Sequence, residues 1–320
     1  MTRLLLLAVL AALVPTGSAA FEPYPAKPVR LLIGFPPGAA MDSVARPFAA
    51  KLSNILGQPV VVETRLGAGG TISSAAVARA PADGYTLGMG ANGDLVIAPQ
   101  LSKVDYDSRA SFTPISLVSR EHGFVLLAHP SLAAGSVKDL VDLARAQPGR
   151  LQYGSPGVGI PHHIAMEWFK KAAAIDIVHV PFKGGGPMIT DLLGGQIPLG
   201  MGGVTAAPLI AAGKLKAIAV TASRRIPALP DVPTFMESGY PSVDIGGWFA
   251  LIGPASLPPE VTRTLNAAAR EAMQDKALNE RLFSYGMNAA PGTSEELARV
   301  IREDYERWGK FIRETGVTAQ

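Results

Sequence analysis

Three groups of residues have the types and spacing to support chemistry, and each lacks a part that its chemistry needs. His162, His163 and Glu167 could be drawn as a metal set, because His163 and Glu167 stand one helical turn apart. No third ligand lies nearby, so no metal is expected. One histidine is assigned to packing or hydrogen bonding at a helix start, Glu167 to solvent, and His163 is kept as a ligand contact. Ser155 falls at a strand-to-helix turn, as a nucleophile does in a serine hydrolase. The elbow needs glycine two residues earlier, where Tyr153 stands, and Pro156 removes an oxyanion N–H. Ser155 is therefore read as a hydroxyl donor to a ligand or as a loop cap, and no catalytic residue is expected. The run Gly88-Met89-Gly90-Ala91-Asn92-Gly93 matches a dinucleotide fingerprint in form. It follows the third strand of its unit rather than the first, and Pro99 limits any helix after it. No cofactor is expected, and Asn92 is kept as a residue lining a cleft.

A different chemistry has all of its parts. An apolar strand runs into a Gly/Pro loop that opens a helix twice, once in each half. Val29 to Phe35 leads into Pro36, Pro37, Gly38, Ala39, Ala40 and Met41, with a helix expected from Asp42. Leu151 to Ser155 leads into Pro156, Gly157, Val158, Gly159 and Ile160, with a helix expected from Pro161. Small residues let a ligand approach the main chain, and a helix N-terminus leaves N–H donors unpaired. Two such loops facing each other hold an anion. Asp42 is expected to cap its helix, with an alternative role in fixing the loop or binding a ligand ammonium. Lys183, in Phe182-Lys183-Gly184-Gly185-Gly186, is either a cation for a carboxylate or an exposed lysine on a turn.

The elements that must position these loops follow from periodicity. After Val29 to Phe35 come a helix with Val44, Phe48, Leu52 and Ile55 on one face, a strand at Pro59 to Glu63, a helix at Thr71 to Arg79 and a strand at Tyr85 to Met89. Pro47 predicts a distorted first turn. Gly67-Ala68-Gly69-Gly70 precedes the second helix. The weaker stretch Ser111 to His129 contains a domain crossing. A second alternation runs from Leu151 to Thr221, Pro227, Pro230 and Pro233 break the regularity, and Trp248 to Gly253 leads back. Helices at Pro259 to Met273, Lys276 to Tyr285 and Ser294 to Glu314 brace the first domain. The fold class is α/β, with two Rossmann-like domains of a type II-like two-lobed binding protein: residues 21–122 plus 248–320, and residues 123–247. Ligands of such sheets bind outside the carboxyl ends of the strands, so a cleft between lobes and hinge closure follow.

Length and composition set the setting. The 320 residues are 48% hydrophobic and 17% charged, enough for two cores. The balance of 29 basic and 26 acidic residues, with no basic run interleaved with aromatics, argues against a nucleic-acid partner. Arg3, the apolar run Leu4 to Val14, the break at Pro15 and Gly17, and Ser18-Ala19-Ala20 read as a signal peptide at residues 1–20, cleaved near Ala20. Export to the periplasm follows. The chain has no cysteine, so disulfide and thiolate chemistry are excluded. A monomer is expected.

Ordered motifs along nearly the whole mature chain resemble those of the TctC-like, or Bug-type, extracytoplasmic solute-binding proteins of tripartite tricarboxylate transport systems. They include Tyr24-Pro25-Ala26-Lys27-Pro28-Val29-Arg30, Phe35-Pro36-Pro37-Gly38 with Asp42, Leu56-Gly57-Gln58-Pro59, Gly67-Ala68-Gly69-Gly70 and Asp83-Gly84-Tyr85-Thr86-Leu87. Further along come Tyr153-Gly154-Ser155 with Gly157, Gly159 and His163, then His179-Val180-Pro181-Phe182-Lys183-Gly184, Asp191-Leu192-Leu193-Gly194-Gly195-Gln196 and Leu229-Pro230-Asp231-Val232-Pro233. The resemblance implies a periplasmic protein that clamps a small carboxylate, with both loops giving backbone and water-mediated contacts, and that delivers it to TctA/TctB-like membrane subunits. The alternatives are a sensor for a membrane receptor and, more remotely, an exported hydrolase. The chain departs from the family pattern at Ala39, where a second glycine is usual, at Ile160, where serine is usual, and at Phe182, where tyrosine is common. With Met41, these make the mouth more apolar, which suggests a ligand with an apolar or aromatic body beside its carboxylate.

Overall fold

The computed structural model describes residues 24–318. The expected signal peptide lies outside the described residues. The first sheet is built from β1 (Val29–Ile33), β2 (Val60–Thr64), β3 (Thr86–Ala91) and β4 (Phe112–Glu121), joined by α1 (Ala40–Leu56), α2 (Thr71–Ala78) and the short α3 (Ala98–Leu101). The chain then crosses to β5 (Val125–Ala128), α4 (Val137–Ala146), β6 (Gln152–Ser155), α5 (Pro161–Ala173), β7 (Val178–Pro181), α6 (Gly185–Leu193), β8 (Leu199–Gly202), α7 (Ala207–Ala211) and β9 (Lys216–Val220). It returns at β10 (Trp248–Pro254) and finishes with α8 (Pro259–Ala272), α9 (Lys276–Ser284), β11 (Met287–Ala289) and α10 (Ser294–Thr315).

The first sheet has the order β11-β4-β10-β3-β1-β2, and the second β7-β6-β8-β5-β9. In each, one strand is flanked by two parallel partners: β1 by β2 and β3, and β6 by β7 and β8. An antiparallel strand follows on the same side, β10 against β3 and β5 against β8. The two sheets therefore share one topology, and β1 with α1 stands in the first lobe where β6 with α5 stands in the second. The chain passes between the sheets from β4 to β5 and again from β9 to β10, and Ala222, Ile226, Leu229 and Val232 of the second passage pack in the core of the second sheet.

Burial of the faces explains the layers. Met41, Val44, Phe48 and Leu52 of α1 pack on Leu31, Ile33 and Leu87, and Val261, Leu265 and Leu278 of α8 and α9 close the same core. At roughly 1.5–3 kcal/mol for each large side chain removed from water, such a face outweighs local propensity. Consequently α1 runs on through Pro47. Leu297, Ile301 and Trp308 of α10 are buried in a core that extends from the first lobe into the second, where Phe311 stacks on Trp168 of α5 at 3.9 Å. The last helix thus braces more than the first lobe.

Three elements differ from the sequence reading. Helix α1 starts at Ala40, two residues before Asp42. Pro99 does not stop a helix. It sits in the first turn of α3, where its missing N–H costs nothing, directly after the π-helical turn Gly93–Ile97. Strand β11 has only three residues and is held by pairing with β4, so no period announces it.

Candidate functional site

Both Gly/Pro loops end at a helix whose N-cap residue offers no side-chain acceptor: Ala39 for α1 and Ile160 for α5. The first-turn amides of Ala40 and Met41, and that of His162, have no acceptor within their helices, while Pro161 has no N–H to satisfy. Each loop is instead fixed one step back. Gly38, at φ +82°, donates its N–H to Asp42 Oδ2 at 3.0 Å, and Gly159, at φ +71°, donates to His163 Nδ1 at 3.2 Å. In both helices the acceptor is the third residue, reaching back four positions to a glycine in the left-handed region. Asp42 is therefore not the N-cap expected from sequence. It holds the loop, and its other oxygen accepts from Arg46 Nε at 2.7 Å.

A buried aromatic stack supports the second loop. His163 lies 4.1 Å from His179, and His179 lies 4.8 Å from Tyr153, ring centroid to centroid. Burial, with the Lys170 charge adding to it, brings the His163 pKa down to about 4. Burial, with His163 beside it, brings that of His179 down to about 3. Both rings are neutral at physiological pH. Ser155 is fully buried. Its hydroxyl donates to the Gly157 carbonyl at 2.7 Å and meets His179 Nε2 at 2.7 Å. The direction of the Ser155–His179 bond follows the imidazole tautomer, and in either direction it ties β6 to β7 beneath the loop. The serine organises the loop. Glu167, expected in solvent, accepts from Tyr153 at 2.7 Å and from Lys170 at 2.8 Å.

The lobes touch across the cleft. A Cβ at Gly69 would stand 3.4 Å from the Val158 carbonyl oxygen and 3.6 Å from Ile160 Cγ2, and one at Gly93 would stand 3.3 Å from Pro161 Cδ. A Cβ at Gly184 would lie 3.7 Å from Pro36 Cγ. Ile160 is buried in this contact. The remaining expected site residues fall in different places. Pro37 and Gly38 are exposed, Ala39, Ala40, Gly157 and Val158 are partly exposed, and Gly159 is buried. Met41 does not make the mouth apolar. Its side chain belongs to the first-lobe core, because the residue one turn before Val44 and Ala45 faces the sheet, so only its amide serves the loop. Lys183 is exposed, with no hydrogen bond or ion pair among the described residues. Asn92 is buried and donates to the Gly246 carbonyl at 3.2 Å, tying β3 to a crossing segment.

Gly88 and Gly90 belong to β3 itself, where a Cβ would meet Val77 at 2.7 Å and Leu95 at 2.5 Å. Packing of α2 and the π-helical turn on β3 accounts for these glycines without a nucleotide. Two features beside these loops were not singled out as cleft elements from the sequence. The turn Gly67-Ala68-Gly69-Gly70 has positive φ at all four residues and forms the wall opposite Val158. Its three glycines in four residues were the available signal. Asp94 is buried, accepts from the Ala91 amide at 2.9 Å and from the Ser74 hydroxyl at 2.5 Å, and is pushed up by burial to about 6. No period marks a lone aspartate in a π-helical turn.

Two lobes of one topology, each presenting an uncapped helix N-terminus to a shared cleft, define a two-lobed solute-binding protein. Residues 44–317 match the model of the TctC family, described as the tripartite tricarboxylate transporter family receptor. The chain belongs to that family. It is 34% identical to Protein BugT of Bordetella pertussis (strain Tohama I) over 99% of this chain and 98% of that protein. Among solved structures, R. palustris Rpa4515 with adipate is similar at 32% identity and TM-score 0.86, covering 92% of this chain and 99% of that one. MatC (Rpa3494) from Rhodopseudomonas palustris with bound malate is similar at 30% identity and TM-score 0.84, covering 90% and 99%.

Proposed function

We propose that this chain captures a small carboxylate between its lobes and delivers it to a tripartite-type membrane transporter, acting as a binding protein rather than an enzyme. The observation that carries the reading is the paired geometry at α1 and α5: two uncapped N-termini, each with its loop glycine already held by the third helical residue. The Ala40, Met41 and His162 amides are then the donors for the carboxylate, aided by the helix dipoles. Gly157, Val158 and the Gly67–Gly70 turn shape the space around it. The adipate and malate bound to the two similar R. palustris proteins support the ligand class. Residues 21–122 plus 248–320, and 123–247, are the two lobes of this reading, and the two crossings between them, near 122–124 and just before Trp248, are its hinge. None of the helices among the described residues is long and apolar enough to cross a membrane. Export to the periplasm and a monomeric state belong to the same proposal. Ile160 and Ala39 favour a ligand with an apolar or aromatic body.

The test is calorimetric titration of unfolded-and-refolded protein with mono-, di- and aromatic carboxylates. Saturable binding of acids, weakened at least tenfold by Asp42→Ala, supports the clamp. Absence of binding by every acid overturns it, and micromolar binding of only compact, highly polar acids overturns the apolar-body clause.

A further inference from the structure

The outer rim of the seam between the lobes is built from four short segments. Residues 34–38 and 65–72 form its first-lobe side, with Gly34 packed on Gly70, and residues 156–160 and 182–187 form the other, with the Gly184 amide bonded to the Pro156 carbonyl at 2.9 Å. The sides meet where Pro36 faces Gly184 and where Gly69 faces Val158. These segments carry two basic residues, Arg65 and Lys183, and no acidic one. Each lobe supplies one cation. Both are exposed, and neither side chain makes a hydrogen bond or ion pair among the described residues. The neighbouring carboxylates are already taken. Glu63 is held by Arg30 through bonds of 2.6 and 2.8 Å, Asp42 by the Gly38 amide and Arg46, and Asp94 lies buried beneath Gly70. Beside Arg65, Leu66 is 54% exposed and Ile72 50%, and Ile72 lies over the Gly67 turn. Unpaired cations beside exposed aliphatic side chains suit a protein surface with acidic groups better than a small anion, which needs converging donors.

We propose that this rim is the docking surface for an acidic segment on the exposed face of the membrane transporter, with Arg65 and Leu66 contributed by the first lobe and Lys183 by the second. The inference rests on the delivery reading above and names the surface through which delivery proceeds. The two halves are joined by the Pro36–Gly184 and Gly69–Val158 contacts, so opening of the lobes moves Lys183 away from Arg65. A partner that needs both halves binds the chain with its lobes together and passes over the open form.

The experiment measures uptake by spheroplasts of the parent bacterium lacking its own copy of the protein. The probe is labelled adipate, malate or terephthalate, whichever the wild type binds most tightly, at saturating concentration. Wild type, Arg65→Glu, Leu66→Ser and Lys183→Glu are added over a range of protein concentrations. The control is Lys214→Glu, an exposed lysine before β9, at the end of the second sheet away from the seam. Each charge reversal should raise the protein concentration for half-maximal uptake about fivefold or more, Leu66→Ser should raise it less, and Lys214→Glu should leave it within about twofold. Arg65→Glu and Leu66→Ser should bind the acid as wild type does. Wild-type uptake curves for both reversals, an equal loss in Lys214→Glu, or a deficit that disappears once the acid saturates overturns the docking surface while leaving capture and delivery intact; the last result would make the cations a guide for the ligand. Failure of the loaded wild type to drive any uptake overturns delivery, and this inference with it.

Discussion

Replacing His162 with phenylalanine removes a group that stays uncharged in the folded chain and takes up a proton when the chain unfolds. Burial lowers the His162 pKa from 6.5 to about 3. Because the folded value lies below the unfolded one, the neutral ring contributes its full stability above about pH 6.5, and this is lost as pH falls toward 3. Between those limits the unfolded state holds the proton and the folded state does not. One pKa unit corresponds to about 1.4 kcal/mol, so at pH 5 the penalty is about 2 kcal/mol relative to neutral pH. The residue keeps some exposure although its Nδ1 is buried, which makes this value an upper bound. Urea unfolding of wild type and His162→Phe at pH 7 and pH 5 isolates the effect. The change in packing is common to both pH values, and the His163 and His179 titrations are common to both proteins. The variant's stability relative to wild type should rise by 1–2 kcal/mol between pH 7 and pH 5, in line with that linkage. Parallel pH dependences, within about 0.3 kcal/mol, would refute a buried neutral imidazole at this position.

Glu121 carries the opposite sign: burial at the start of the crossing raises its pKa from 4.5 to about 7, so folding stability is lost as pH rises through that interval. Glu121→Gln should therefore gain up to about 3 kcal/mol over wild type between pH 4.5 and pH 8, read by thermal or urea melts, and equal slopes would contradict it. Asp42→Ala removes the acceptor of the Gly38 amide and the partner of Arg46, and should cost about 1–2 kcal/mol of stability. It should also weaken acid binding at least tenfold, whereas Arg46→Ala, which breaks only the half-exposed ion pair, should change binding less than threefold. Gly159→Ala places a side chain at φ +71° with its Cβ 3.2 Å from Leu101 Cδ1. A loss of about 1–2 kcal/mol in chemical denaturation is expected, and a neutral result would show that the loop relaxes freely.

What the sequence could show here depended on whether the cause was local. The helix expected from Pro161 begins there because Pro161 suits its first turn and Ile164, Ala165 and Phe169 give it a buried stripe. The two Gly/Pro loops were legible for the same reason, as turns between an apolar strand and an amphipathic helix. Asp42 was visible as a polar group near a helix start. Its role was not, since capping from the N-cap and reaching back from the third position differ by a two-residue shift in the boundary. Met41 was misread because composition cannot say which side of the first turn faces the sheet. The Ser155–His179 pair and the Tyr153–His179–His163 stack join residues of β6, β7 and α5, and only parallel pairing of β6 with β7 brings them together.

On the proposed reading, the same non-local contacts preorganise the clamp. If the Gly38 and Gly159 loops had to be ordered by the ligand, each acid would have to offset that entropy before gaining affinity. Here Asp42 and His163 hold the glycine amides in advance, and the histidine stack under the second loop fixes His163 in turn. The ligand has only to complete the first-turn donors. Closure can then proceed as motion of two rigid lobes, provided the contact between α10 and α5 tolerates it. That contact sits beside the crossing: Trp248, the first residue of β10, donates to Asp304 of α10 at 2.7 Å, and Trp308 and Phe311 carry the helix onto Trp168. Displacements are smallest near a rotation axis, so a hinge at the crossing would disturb a contact beside it less than one farther away.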